Sequence, residues 1–113
     1  LLRNAHGDKG ISLHFSKQEL PCFTVWKNTQ AEIDGYVTGL EPATNYPNLK
    51  TFERQQGRVV SIPPGGTYSS TLEIRIHDNA QGVAEVEEQI NALQKTSPAK
   101  VHQKPHPKYT PWA

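Results

Sequence analysis

The chain has 113 residues, of which 35% are hydrophobic, and a chain of this length suits one small domain with a modest core. Its 12 Lys and Arg nearly balance its 11 Asp and Glu, so it lacks the basic surface that binds a phosphate backbone. We therefore expect no nucleic-acid partner. No apolar run approaches the roughly 20 residues needed to span a bilayer, and we expect no membrane association.

Strands are predicted in the N-terminal part of the chain. Apolar and polar residues alternate over 10–16, which indicates a strand with one buried face. A second strand is predicted over 22–28, in a hairpin or meander with the first, and a third over 36–40. The second strand divides into one face with Phe23 and Val25 and another with Cys22, Thr24 and Trp26.

A polar loop is predicted after the third strand. Because Pro42 has no N–H to donate, we expect it to end ladder pairing and to leave Glu41 at the end of the strand. Residues 43–56 are rich in turn formers and are predicted to form an ordered surface loop without a regular element. Binding residues often lie on such loops.

The following segment is predicted to form a β-hairpin and a helix. A β-branched run over 58–62, a tight turn at 63–66 and an amphipathic strand over 68–76 make up the hairpin. Apolar residues then recur at helical spacing over 80–95, with Asp78 as the predicted N-cap. We assign residues 1–96 to a domain and the proline-rich residues 97–113 to an extended tail.

The single cysteine, Cys22, lies in an apolar run and has no second cysteine with which to form an intramolecular disulfide. A buried thiol in a reducing compartment is the expected outcome, so we expect a cytoplasmic protein.

The candidate chemistry lies in and near the polar loop. Glu41 could act as a positioned acid or base, and Asn45 and Asn48 could hydrogen-bond the hydroxyls of a polyol. Trp26 or Tyr46 could stack on the apolar face of a sugar ring. These five residues are the predicted site.

Other interpretations of these residue types remain open. Glu41 could instead be a solvated turn residue that pairs with Arg54 or Arg58. His14 and His77 are expected on exposed polar strand faces. His102 and His106 are four residues apart, a spacing that would place both on one face of a helix as metal ligands. The prolines on either side of His106 prevent such a helix, so we expect no metal site.

Three segments in the same order resemble the C-terminal region of aldose 1-epimerases, the galactose mutarotase-like proteins. They are FTVWKN at 23–28, GLEPATNYPN at 39–48 and RVVSIPPGGTYSSTLEIRI at 58–76. The resemblance implies an all-β fold, namely part of a galactose mutarotase-like β-sandwich or supersandwich, with one late α-helix and an extended C-terminal arm. It also implies that the chain, which contains no Met, is a C-terminal fragment that lacks its beginning and is inactive alone.

The resemblance also implies a mechanism and a partner. Glu41 falls on the family's catalytic glutamate, a base that takes the anomeric proton while an imidazolium protonates the ring oxygen of a monosaccharide or sugar derivative, without a cofactor. The family's histidine lies far upstream of its glutamate, whereas His6 and His14 are too near to match it. Pro42 and Ala43 stand where common members have Thr-Gln, which indicates a divergent branch and leaves the sugar open.

Two further hypotheses belong to other classes of function. The same fold can keep its pocket and lose its acid-base chemistry, which gives a non-catalytic carbohydrate-binding domain. The third hypothesis is a structural β domain that self-associates through its C-terminal tail, where Tyr109 and Trp112 offer aromatic surface.

Overall fold

The computed structural model of the protein describes residues 1–112. It divides into two compact units, one formed by Leu1–His14 with Leu72–Gln103 and one by Phe15–Thr71 with the chain from Lys104 onward. The elements are β1 (Leu2–Arg3), β2 (Gly10–Phe15), β3 (Cys22–Lys27), a 3-10 helix (Glu32–Asp34), β4 (Thr38–Ala43), α1 (Lys50–Gln55), β5 (Leu72–His77) and α2 (Ala80–Thr96). None of the helices within the described residues is long and apolar enough to cross a bilayer.

The first unit contains a three-stranded sheet in the order β1-β2-β5, and α2 packs against β5. Val83 and Val86 of α2 are buried, as the helical spacing predicted. The predicted strand over 10–16 and the predicted helix over 80–95 are both confirmed.

The helix α2 begins one residue later than the predicted cap implied. Asn79 is the N-cap, and its side chain accepts a hydrogen bond of 2.9 Å from the backbone N–H of Gly82. Asp78 as N-cap was therefore wrong, because the residue directly before the first helical residue is the one whose side chain reaches the free N–H groups of the first turn.

The strand β5 is shorter than predicted and its apolar face is open. The prediction began at Tyr68, whereas the strand begins at Leu72. Its apolar side chains remain exposed in this chain, at 44% for Leu72, 61% for Ile74 and 81% for Ile76.

The second unit is built on an antiparallel pair, β3 with β4, in a register that runs from Cys22 opposite Ala43 to Lys27 opposite Thr38. The hairpin or meander predicted for the first two long strands was wrong, since β2 and β3 belong to different sheets. Pro42 does not end β4, because a proline is tolerated on an edge strand where its nitrogen has no ladder partner.

A short helix, α1, lies where an irregular loop was predicted. Its C-terminus is closed by a Schellman motif, in which Gly57 N–H donates to Arg54 O at 3.1 Å and Arg58 N–H donates to Glu53 O at 3.0 Å. Gly57 has φ of 71°, a left-handed conformation that favours glycine. Because of this C-terminal closure, Arg58 lies next to Glu53 and forms an ion pair with it. The segment is therefore ordered by a short helix and is not an irregular loop.

The segment between Arg58 and Thr71 contains the predicted turn but lacks the predicted first strand. Gly66 N–H donates to Pro63 O at 2.8 Å, which confirms the turn. No strand forms over 58–62; instead, the segment is anchored beyond the turn, where Tyr68 Oη donates to Glu19 O and Thr71 N–H donates to the Glu19 carboxylate. Residues 97–112 contain no helix or strand beyond the last C-cap.

Candidate functional site

One face of the β3–β4 pair carries the predicted base and the predicted aromatic platform. Directly opposite residues of a ladder share a face, and Thr24 lies opposite Glu41 while Trp26 lies opposite Gly39. Trp26 and Glu41 are therefore diagonal neighbours on the same face. This arrangement agrees with the face that the alternation predicted for Trp26 and Cys22.

The carboxylate of Glu41 lies over Gly39, the residue that is paired with Trp26 across the ladder. A Cβ added at Gly39 would lie 2.5 Å from Glu41 Oε1 and 3.4 Å from Trp26 Cβ. A glycine at this position therefore leaves the space that the Glu41 carboxylate occupies. Trp26 itself is 51% exposed, so about half of its surface is open to solvent.

Glu41 is exposed, and its carboxylate makes no hydrogen bond or ion pair with any residue in 1–112. The alternative that it pairs with Arg54 or Arg58 was wrong, because Arg58 binds Glu53. Glu41 also lies within β4 and not at its end. Its carboxylate is therefore open to a ligand on this face.

Glu53 is the most buried charged group of the second unit, with no exposed surface. Arg58 donates to both of its oxygens, from Nε at 2.6 Å and from Nη2 at 2.7 Å. Asn48 Nδ2 adds a bond of 2.7 Å and the Tyr46 N–H one of 3.2 Å. The hydrogen bonds from Arg58 are the main reason that the pKa of Glu53 falls from 4.5 to about 2.

The amides predicted to bind substrate make several contacts within the protein. Asn48 Nδ2 donates to Glu53 and also to Tyr109 O at 3.0 Å, so its amide hydrogens have partners. Asn45 Nδ2 donates to Tyr46 O at 2.7 Å, and Asn45 Oδ1 accepts from Lys50 Nζ at 3.3 Å. These bonds fix the loop on which Tyr46 lies.

Tyr46 lies in a cluster of aromatic and cationic side chains. Its ring meets Tyr109 edge-on with centroids 5.7 Å apart, and the Arg58 guanidinium lies 5.2 Å from its centroid. Burial is the main cause that raises the pKa of Tyr46, so its hydroxyl stays protonated.

A cleft of about 370 Å³ opens beside this cluster. It is lined by Lys17, Pro21, Cys22, Tyr46, Gln56, Arg58, Lys108 and Tyr109. Cys22 is 3% exposed and is a free thiol, as predicted. The volume lies within the range of small-molecule sites.

The first unit holds a separate polar cluster around Ser12, which is 2% exposed. Its hydroxyl lies 2.8 Å from Nε2 of His14 and 2.8 Å from Nε2 of His77. Both histidines are partly buried, so the prediction that they are exposed was wrong. The reason is that β2 and β5 are neighbours in one sheet, so His14 and His77 both lie beside Ser12 and contact its hydroxyl. No group of three or more His, Cys, Asp or Glu that could hold a metal ion occurs within 1–112.

Glu53 and the cleft were not predicted from the sequence. The sequence does contain one relevant signal, namely Glu53 followed by Gly57 and Arg58. A glycine in this position is typical of a helix C-terminus, and the arginine after it is close enough to pair with the carboxylate. The approach of Lys108 and Tyr109 from the tail has no local sequence signal, because it depends on contacts distant in the chain.

Comparison with known proteins supports the resemblance to aldose 1-epimerases. The chain is similar to a crystal structure named "putative aldose 1-epimerase" from Klebsiella pneumoniae subsp. pneumoniae MGH 78578, with 39% sequence identity and a TM-score of 0.79. The match covers 92% of this chain and 27% of that structure, so the chain spans about a quarter of its length. Comparison with curated proteins returned no match. A sequence model of one family matches residues 1–76, and the chain therefore belongs to the family described as a domain of unknown function (DUF4432).

Proposed function

We propose that this chain contributes the general-base part of a sugar site in a protein of the aldose 1-epimerase kind. Glu41 is the base and Trp26 is the platform for the sugar ring. The observation that carries the proposal is that Glu41, whose carboxylate has no ion pair, and the half-exposed Trp26 are diagonal neighbours on one sheet face. The similarity to the Klebsiella structure supports the choice of a sugar as the ligand.

The chemistry of Glu41 in this proposal is proton transfer. The carboxylate takes the proton of the anomeric hydroxyl while a proton donor protonates the ring oxygen, the bond between that oxygen and the anomeric carbon breaks, and an open-chain aldehyde forms. Rotation about the next carbon–carbon bond and reclosure give the other anomer and return both protons. The proton donor is not assigned to a residue of this chain, and no cofactor takes part.

The remaining residues of the predicted site have supporting roles in the proposal. Tyr46 lines the cleft, and Asn45 holds the loop on which Tyr46 lies. Asn48 acts through Glu53 as a positioning residue, because its amide hydrogens are already bound.

A titration of the full chain with D-galactose and D-glucose, followed by NMR of the indole N–H signals, tests the sugar site. Trp26 should shift on sugar addition, and Trp112 should not. Trp26→Ala should weaken binding by about tenfold or more, because it removes the apolar surface that the ring covers, and burial of one large apolar side chain contributes roughly 1.5–3 kcal/mol. Trp112→Ala is the matched control. A titration in which neither sugar moves the Trp26 signal would contradict the proposal.

A non-catalytic carbohydrate-binding domain is the second candidate. It is favoured by the same exposed Trp26, which can serve as a binding platform whether or not Glu41 transfers a proton. Binding of sugar without any acceleration of anomer interconversion by the full-length protein would select this candidate over the enzyme.

A further inference from the structure

We propose that the sugar bound beside Glu41 carries an anionic group, a phosphate or a carboxylate, and that the cleft defined by Lys17, Cys22, Arg58 and Lys108 holds that group. This inference rests on the proposed function and names the class of its substrate. It starts from the charges around the cleft.

The charged residues that line the cleft are all cationic: Lys17, Arg58 and Lys108. The charge of Arg58 is neutralised by its ion pair with Glu53. Lys17 and Lys108, in contrast, form no ion pair with any residue in the described part of the chain. Two ammonium groups therefore remain to attract an anion. Lys108 Nζ lies 5.7 Å from the centroid of the Tyr109 ring, which keeps it at the cleft.

Arg58 also retains donors. It uses Nε and Nη2 on Glu53 and Nη1 on Lys108 O, at 2.8 Å in the last case. A guanidinium has five N–H groups, so one hydrogen on each Nη remains for a ligand, in the forked geometry that suits phosphate or carboxylate. The Glu53 ion pair holds this fork in place.

The cleft continues the face on which Glu41 lies. Cys22 lines the cleft and lies opposite Ala43, two residues along β4 from Glu41. Two residues of an antiparallel strand span about 7 Å. The strand pair therefore carries Trp26 first, then Glu41, and then the cleft at Cys22.

This order matches the layout of a hexopyranose that is charged at C6. The anomeric carbon C1 and the carbon C5 flank the ring oxygen, so a group on C6 leaves the ring on the same edge as the anomeric centre. A ring stacked on Trp26, with that edge at Glu41, directs its C6 group toward the cleft. A neutral sugar leaves the two ammonium groups without an anionic partner.

Isothermal titration of the full chain with matched ligands tests the inference. The ligands are D-glucose, D-glucose 6-phosphate, D-glucuronate and inorganic phosphate. We expect at least one anionic sugar to bind about tenfold or more tightly than glucose, with an advantage that shrinks as salt is added. A preference for the 6-phosphate or for glucuronate identifies the anionic group.

Variants assign the preference to the cleft. Lys17→Gln and Lys108→Gln should each weaken binding of the preferred anionic sugar about fivefold, since a surface charge at close range contributes about 1 kcal/mol. Glucose binding should not change in either variant. Lys95→Gln, in the last turn of α2 in the other unit, is the matched control and should alter nothing.

The outcomes separate this inference from the proposed function. If glucose binds and neither anionic sugar binds more tightly, the inference is overturned and the sugar site stands. If inorganic phosphate binds but no sugar does, both are overturned, because the cleft is then an anion site without a sugar. An anionic preference that survives both lysine variants also overturns the assignment to this cleft.

Discussion

Glu53 shows how a single buried residue can hold a site together. It has no exposed surface and accepts hydrogen bonds from Arg58, Asn48 and the backbone of Tyr46. Each donor comes from the loop or from the chain that follows α1. The loop that carries the candidate sugar residues is therefore ordered by a carboxylate that does not itself face the ligand.

Replacing Glu53 with Gln should destabilise the protein by roughly 3–5 kcal/mol, because it leaves the Arg58 charge partly buried without its partner. Urea unfolding followed by circular dichroism measures the change. Glu73→Gln is the matched control, since Glu73 pairs with Arg75 through exposed side chains, and we expect no measurable loss. Equal losses in the two variants would refute the structural role of Glu53.

The stability of the protein should fall in acid because of the same residue. The pKa of Glu53 is lowered from 4.5 to about 2 on folding, chiefly by Arg58. A carboxylate with a depressed pKa stabilises the folded state above its ordinary pKa and loses that contribution as the pH falls toward the folded value. Unfolding midpoints should therefore drop between about pH 4.5 and pH 2. Glu53→Gln should show a smaller drop over that range, and an identical pH profile would contradict the assignment.

At the residue scale, alternation along a strand could be predicted, whereas contacts distant in sequence could not. The division of β3 into two faces follows from its period of two, so the sequence placed Trp26 correctly relative to Cys22. The opposition of Thr24 and Glu41 depends on register, and the approach of Tyr109 to Tyr46 depends on the folding of the tail. Neither carries a local signal.

At the scale of elements, the N-terminus of α2 gives a direct test of cap assignment. Asn79→Ala should cost about 1 kcal/mol, because the first turn loses the acceptor for the Gly82 N–H. Asp78→Ala should cost only a few tenths of a kcal/mol, since Asp78 contributes charge near the helix dipole. Thermal unfolding of the two variants measures the difference. A larger loss for Asp78→Ala would support the sequence-based cap.

Two elements of the candidate site, β4 and α1, differ from what was predicted, and each difference has a physical explanation. Pro42 was expected to stop β4, but on an edge strand its missing N–H removes no ladder bond. The helix α1 has only six residues, too few for periodicity to reveal. Its stability comes from the buried Glu53 and the closure at Gly57, which are tertiary and capping effects.

At the scale of the whole molecule, the tail has an internal role within the second unit. Arg58 Nη1 donates to Lys108 O and Asn48 Nδ2 donates to Tyr109 O. Removing residues 104–113 should lower stability by roughly 1–3 kcal/mol, because two partly buried donors, Asn48 and Arg58, lose their acceptors. Urea unfolding measures this loss.

The same deletion tests the assembly hypothesis for the tail. Trp112 is 81% exposed and could contact another copy of the chain. Sedimentation equilibrium before and after the deletion separates the two roles. A lower mass would support self-association through the tail, whereas an unchanged mass with lower stability would restrict the tail to its internal contacts.

The most direct test of the central claim is the rate at which the full-length protein interconverts sugar anomers, measured by exchange NMR on D-glucose and its charged derivatives. Wild-type protein should accelerate the exchange, and Glu41→Gln should slow it by about a hundredfold or more, the usual contribution of a general base. Glu32→Gln, which removes another exposed carboxylate of the second unit, should keep the wild-type rate. Equal rates for wild type and Glu41→Gln would contradict the assignment of Glu41 as the base.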